Sequence, residues 1–396
     1  MLLLFAQPIT VLTYSIFKKS FNTNFIYVLV LSLALLSILR KMKVMIWQIC
    51  LFIFILVSVL ISNLVFVNND IIFGLSIIIQ CSIAILSINN FDPRRKNVEI
   101  YYKWFILFMV PNIIIGIAQA ITGNPLFIDS VIGAQGLDTN KINNIWQFGE
   151  NTRSFGLFYS NGYYALYLVG FACFAAYLTR KNKAILLATL IISATALYFT
   201  YTRTAYVQSL TAAVALFILL ACLKWKLKPP IVFAMQCLCS ISIFYFILMY
   251  GIGSSNAQDL SNSQSLIIRY ENWEKIVNFM FSKPYNLIFG TGVSANDIII
   301  TDIIKKSNLA TNYSIIVDNG YLAYVIYGGL ILLFLQLFLQ YKIFRSIYSN
   351  ILLNKYIFLL PALVFLSSMP IYNMFGNLNS SILILSIAPI LLSRRQ

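Results

Sequence analysis

The chain contains no histidine among its 396 residues. That removes the side chain most often used as a general base near neutral pH, and with it the usual zinc and copper ligand sets. Charge is scarce too. Asp, Glu, Lys and Arg make up 10% of the sequence, against about 25% in an ordinary soluble domain. So few polar residues cannot cover a water-exposed surface, which excludes one large soluble core. The six cysteines, Cys50, Cys81, Cys173, Cys222, Cys237 and Cys239, all lie inside apolar runs and read as small buried hydrophobes. Cys237 and Cys239 lack the partners that a metal pair needs. No metal site and no cofactor is expected. The first apolar run, Met1–Phe17, lacks a basic leading segment and a small-residue cleavage site, so it reads as a membrane helix and not as a cleavable signal. There is no internal repeat, coiled coil or low-complexity tract.

Apolar sequence is abundant. Hydrophobic residues make up 60% of the chain and the mean hydropathy is +0.83, so the bilayer is the solvent that this composition fits. Runs long enough to span fall near 1–17, 22–39, 44–67, 71–90, 101–121, 161–179, 184–202, 204–223, 230–252, 315–341, 351–369 and 371–392. Gln7 and Pro8 interrupt the first, and a tight turn at Met369-Pro370 separates the last two. The predicted fold is all-α: a polytopic integral membrane helix bundle of about twelve transmembrane helices, forming one domain over 1–396.

Basic residues orient the bundle. Arg40/Lys41/Lys43, Arg94/Arg95/Lys96, Arg180/Lys181/Lys183, Lys224/Lys226/Lys228, Lys342/Arg345/Lys355 and Arg394/Arg395 each follow the previous cluster by two spans, so all fall on one face. The positive-inside rule makes that face cytoplasmic, with both termini there if the first run spans. Lys18 and Lys19 are the exception. The outer face carries ten bases and ten acids, so the whole net charge of +16 belongs to the inner face. It reports topology and not nucleic-acid binding, despite a pI near 9.5. Two long polar stretches face outward, 122–160 and 253–314.

These outer stretches hold the residues suited to chemistry. Arg153 lies in Asn151-Thr152-Arg153-Ser154-Phe155-Gly156, just before the sixth span, with Glu150 three residues ahead of it. Arg203 lies in Tyr201-Thr202-Arg203-Thr204-Ala205-Tyr206, between two spans that nearly run together. It reads either as a snorkelling interfacial arginine or as part of a polar pocket among hydroxyl side chains. Arg269 and Trp273 are i, i+4 neighbours on an amphipathic helix near 264–282, with Leu266, Tyr270, Trp273, Val277 and Met280 as its apolar stripe, ending by Pro284. A solvated surface helix is the plainer alternative. Gly290-Thr291-Gly292 is a turn and lacks the rest of a nucleotide loop. Asp318-Asn319-Gly320-Tyr321 opens the tenth span, either as a helix cap or as a carboxylate placed for use. Three outer-face arginines suit phosphate, which the guanidinium fork binds bidentately while staying charged beside lipid.

The set resembles the Wzy-type O-antigen and capsular polysaccharide polymerases, within the wider family that includes the O-antigen ligases. The resemblance rests on Arg153-Ser154-Phe155-Gly156, Thr202-Arg203-Thr204-Ala205, Arg269 four residues before Trp273, Gly290-Thr291-Gly292 and Asp318-Asn319-Gly320-Tyr321-Leu322, and covers roughly residues 150–330. It implies a GT-C-like membrane glycosyltransferase acting on undecaprenyl-pyrophosphate-linked oligosaccharide at the outer face of the bacterial cytoplasmic membrane, without metal or cofactor. It also implies a flippase and a chain-length regulator as partners. On that resemblance Asp318, Arg203, Arg269 and Arg153 are the catalytic candidates. Asn319, Tyr321, Trp273, Glu150, Tyr206, Gly290 and Gly292 are the substrate-binding ones. The ligases carry a histidine before the asparagine of the last motif; Asp318 stands there in this chain, which favours polymerase over ligase. A flippase would instead place ionisable residues at mid-span in paired halves, and these spans are nearly free of charge.

The orientation is testable in a variant lacking the native cysteines. Ser261→Cys and Ser307→Cys should react with a membrane-impermeant thiol reagent from outside intact cells, and Asn182→Cys and Trp225→Cys should not. The reverse pattern would invert the topology.

Overall fold

The computed structural model describes residues 6–18, 53, 95–135, 147–148, 151–179, 182–202, 209, 214, 217–218, 221–222, 224–253, 273–274, 276–282, 284–290, 322, 325–326, 328–334, 337–338, 341 and 345. The helices are α1 (Ala6–Phe17), α2 (Arg95–Thr122), α3 (Ile128–Gln135), α4 (Asn161–Thr179), α5 (Lys183–Tyr198), α6 (Pro229–Gly253) and α7 (Pro284–Phe289). A two-stranded antiparallel hairpin, β1 (Gln147–Phe148) and β2 (Asn151–Thr152), pairs Gln147 with Thr152 and Phe148 with Asn151. The described part of 122–160, the first stretch expected outside, thus holds a short helix and a strand pair, a small β element within an otherwise helical description. The expected spans at 22–39, 44–67 (Ile53 apart), 71–90, 351–369 and 371–392 lie outside the described residues.

Helix α2 shows what solvent the chain is built for. Within it Tyr102–Thr122 runs 21 residues at a mean hydropathy of 2.0, long enough to cross a bilayer. Tyr102, Phe105, Met109, Asn112, Gly116 and Gln119 are buried at three- and four-residue spacing. The opposite face is apolar as well: Trp104, Leu107, Ile114 and Ile121 are all at least half exposed. A helix in water would put charge there. Helix α5 goes further, burying only Ser193 and Ala196 while Ile185, Leu187, Ile191 and Ile192 point outward. Small residues inward and large apolar ones outward is the packing of helices whose solvent is as apolar as their core.

Helix α4 packs against both α2 and α5. The α2–α4 seam is aromatic. Tyr102 stacks on Phe174 with centroids 4.3 Å apart, Phe105 meets Phe174 edge-on at 4.8 Å, and Phe105 stacks on Tyr167 at 6.0 Å. Such pairs contribute about 0.5–1.5 kcal/mol each beyond their buried area. This seam fixes the level at which the polypeptide enters α4, and hence the segment that carries Arg153.

Helix α1 is described over 12 residues, about 18 Å of rise; the first residues of the expected span 1–17, Met1–Phe5, lie outside the described residues. It packs on α3, with Val11 buried against Val131, Ile132, Phe155 and Leu157. On the helix before Pro284, Ile276 and Met280 are buried and Trp273 half-buried, while Val277 and Phe281 are exposed. The inward stripe thus runs Trp273–Ile276–Met280. Val277 is one residue, about 100°, too far round. Residues 264–272 lie outside the described residues.

Helix α7 opens on Pro284, where a missing N–H costs nothing. It closes on Gly290, whose N–H donates to the Asn286 carbonyl at 2.8 Å with φ of +76°, a left-handed helix end. Gly290 lies so close to the expected tenth span that a methyl group on it would sit 2.6 Å from the backbone nitrogens of Gly328 and Gly329. A methyl on Gly329 would in turn strike the Ile288 carbonyl. Two backbones cross here with no room for a side chain. Gly290→Ala and Gly329→Ala should each destabilise the protein by roughly 1–3 kcal/mol through left-handed strain alone, with more from the clash. Thermal unfolding in detergent should show this, against a much smaller change for the exposed Ser282→Ala.

Candidate active site

Residues 153–158 leave the surface and run inward. Asn151 is exposed, Thr152 and Arg153 are half-buried, and Ser154 to Phe158 are buried. Irregular backbone beside lipid must have its N–H and C=O groups satisfied by protein, and α2 does this with two amide side chains. Gln119 Oε1 accepts from the N–H of Phe155 at 3.0 Å and of Gly156 at 2.9 Å. Its Nε2 donates to the carbonyls of Leu126 at 2.7 Å and Gly156 at 3.0 Å. Asn112 Oδ1 accepts from Leu157 N–H at 3.2 Å, and the Tyr164 hydroxyl donates to the Asn112 carbonyl at 3.2 Å. Gly156 takes φ of +58° and comes within contact of the Asn112 carbonyl, where a Cβ would sit 3.0 Å from that oxygen.

The same segment touches the turn before Arg203. Ser154 N–H donates to the Phe199 carbonyl at 2.9 Å. Asn161, at the start of α4, donates through Nδ2 to the Thr200 carbonyl at 3.2 Å and to Thr202 Oγ1 at 3.1 Å. Thr200 and Thr202 are buried, and Tyr201 between them takes φ of +46°. The expected span 184–202 therefore stops at Tyr198. Its last four residues form a polar turn because the hydroxyls of Thr200 and Thr202 bond to the carbonyls of Leu197 and Thr200 instead of continuing the helix.

Helix α1 closes the other side. Gln7 Oε1 accepts from Tyr159 N–H at 3.3 Å. The Thr10 hydroxyl donates to the Gln7 carbonyl at 2.8 Å, which leaves its oxygen to accept from the Tyr159 hydroxyl at 2.7 Å. Burial pushes the Tyr159 phenol above its ordinary value, against a smaller opposite pull from Thr10, so the group is a donor throughout the physiological range. At the outer edge, Thr152 Oγ1 donates to the Gly123 carbonyl at 2.7 Å, tying β2 to the end of α2.

Of the expected site residues, Arg153, Trp273 and Gly290 are described. Arg153 stands at the rim of this polar cluster, Trp273 is half-buried on the helix before α7, and Gly290 has a packing role at the backbone crossing. Glu150, Arg203, Tyr206, Arg269, Gly292, Asp318, Asn319 and Tyr321 lie outside the described residues. In sequence Glu150 falls between β1 and β2, and Arg203 directly follows Thr202. Of the polar side chains that organise the cluster, Asn112, Gln119 and Asn161 were not singled out from the sequence, and Gln7 was read only as an interruption of the first span. A signal existed: Asn112, Gly116 and Gln119 recur at four and three residues, a polar stripe on an apolar helix.

Residues 188–337 match a family model described as O-antigen ligase. The match begins within α5 and takes in Arg203, Arg269, Trp273, Gly290, Gly292, Asp318, Asn319 and Tyr321; Arg153 and Glu150 precede it. It supports the wider O-antigen ligase and polymerase grouping, and with it a membrane role in bacterial glycan assembly. No curated protein matches the chain.

The latch between α4 and the turn yields a prediction. Asn161→Ala removes two hydrogen bonds, each worth about 0.5–1.5 kcal/mol. It should lower thermal stability in detergent correspondingly, and Asn161→Asp should recover none of the loss, because both bonds use the amide donor and a carboxylate cannot donate to the Thr200 carbonyl.

Proposed function

We propose that this chain is a polysaccharide repeat-unit polymerase. It moves a growing glycan from an undecaprenyl-pyrophosphate carrier onto the sugar of an incoming lipid-linked repeat unit, at the outer face of the bacterial cytoplasmic membrane. Within this reading the chain is a GT-C-like bundle of about twelve spans with both long loops outside, and a flippase and a chain-length regulator act before and beside it.

In the transfer step the acceptor hydroxyl oxygen bonds to the anomeric carbon of the donor sugar. The bond from that carbon to the pyrophosphate oxygen breaks. The hydroxyl proton passes to a carboxylate, for which Asp318 is the candidate in a chain without histidine. The pyrophosphate lipid leaves with the bonding electrons, and Arg153, Arg203 and Arg269 stabilise its charge. A pyrophosphate is already a good leaving group, so fixed positive charge helps more than protonation. Tyr206, Asn319, Tyr321, Glu150 and Trp273 would line the sugar path, with Trp273 suited to stacking on a ring.

The observation that supports this reading most directly is the bond from Ser154 N–H to the Phe199 carbonyl. It joins the segment bearing Arg153 to the turn whose next residue is Arg203, so two arginine-bearing stretches from separate loops share one polar cluster. The family match over 188–337 supports the same reaction class. Its description favours a second reading, a ligase that moves finished polymer to another acceptor. The aspartate at 318 in place of a histidine favours the polymerase.

A deletion strain complemented with the wild type should display a ladder of polymer lengths. Arg153→Ala, Arg203→Ala and Asp318→Ala, at matched expression, should each leave a single repeat unit, with rate losses on the order of 10²–10³. Normal-length polymer left on its lipid carrier would instead make the chain a ligase. Repeat units held on the inner leaflet would make it a flippase.

A further inference from the structure

We infer that Gln119 and Asn112, two side chains of the membrane-spanning helix α2, are positioning residues for Arg153. The inference rests on the reading of Arg153 as a pyrophosphate ligand. Gln119 is fully buried and uses both ends of its amide. The oxygen takes the N–H groups of Phe155 and Gly156, and the nitrogen gives to the carbonyls of Gly156 and Leu126. Asn112 takes the next N–H, that of Leu157. One residue after Arg153, Ser154 is bonded to Phe199. One residue before it, Thr152 is bonded to Gly123. Arg153 is thus a rim residue between two anchored neighbours, on a backbone hung from α2.

This arrangement fixes the backbone from which the arginine side chain starts. Bidentate recognition of phosphate depends on where the guanidinium plane starts from, and a binding group must be held to within about 0.5 Å of its productive place. A displacement of about 1 Å can cost on the order of 10²-fold in rate. An apolar side chain at 119 would fill the same volume but leave two N–H groups and two carbonyls without partners beside lipid. The segment would then have to move toward water, and Arg153 with it. Gln119 and Asn112 touch no reacting atom in this account. They act through the arginine.

The test uses the full-length chain in detergent and reads position separately from function. In a variant lacking the native cysteines, Arg153→Cys is labelled with a membrane-impermeant thiol reagent. Adding Gln119→Ala or Asn112→Ala should change the labelling rate at least fivefold, while a reporter at Ser282→Cys stays constant. Unchanged rates in both would overturn the inference. With the native cysteines present, binding of undecaprenyl pyrophosphate should weaken tenfold or more in Gln119→Ala. In an Arg153→Ala background the same change should weaken it less than twofold further, because effects routed through one residue are not additive. Equal weakening in both backgrounds would also overturn it. Gln119→Glu keeps the accepting oxygen; it replaces Gln119→Ala if that variant does not fold, with the same direction and a smaller size. If the unaltered chain does not bind undecaprenyl pyrophosphate, the pyrophosphate reading fails, and the labelling rates alone decide whether α2 positions Arg153.

Discussion

A single buried amide carries residues 154–157. Backbone that is neither helix nor sheet has donors and acceptors that must find partners wherever it is buried. Residues 154–157 are such backbone, and Gln119 meets two of their donors and one of their acceptors at once. Its fourth bond, to Leu126, captures the start of the chain beyond α2. The aromatic seam between α2 and α4 could hold those helices together without it. It sets the level at which the segment between them enters α4, while the Gln119 amide oxygen supplies what ring packing does not, an acceptor for the N–H groups of Phe155 and Gly156.

The distribution of polarity follows from the same constraint. Helices α2 and α5 face outward with isoleucine and leucine. Inward, α5 buries only Ser193 and Ala196, while α2 buries Tyr102, Phe105, Met109 and Ile113 toward one end and Asn112 and Gln119 toward the other. Where both faces of a helix are apolar, hydrogen bonding between elements adds the directional term that specifies how they fit. The cluster formed by Gln7, Thr10, Asn112, Gln119, Ser154, Tyr159, Asn161, Thr200 and Thr202 is where that specification is concentrated, and it is also where the arginine-bearing stretches meet. A polar site at the edge of an apolar bundle therefore needs no separate scaffold. The bonds that determine the fold also shape the site.

Hydropathy and punctuation made some of this legible before any coordinates. The span at 161–179 coincides with α4, because Asn161 begins it and the Arg180 cluster follows its last residue. The span expected at 230–252 differs from α6 by one residue at each end. Legibility failed where polar side chains outweigh the average. A window over 184–202 reads as one apolar run, although Thr200 and Thr202 end the helix early by bonding backwards. Gln7 reads as an interruption of a span, yet it is the residue that ties α1 to Tyr159. Asn112 and Gln119 disappear into the mean of α2. The arginines of the motifs were easy to nominate because charge is rare in this chain. The neutral amides that set the geometry around Arg153 carry no charge and so gave no such signal.

The crossing of Gly290 with Gly328 and Gly329 joins two points of the chain that are distant in sequence. The entropic cost of bringing two such points together rises only with the logarithm of their separation, about 0.6 kcal/mol per doubling. A single methyl group at either glycine, by contrast, would meet backbone at 2.6 Å or less. The stability of this contact therefore depends far more on the absence of two side chains than on how much chain runs between them.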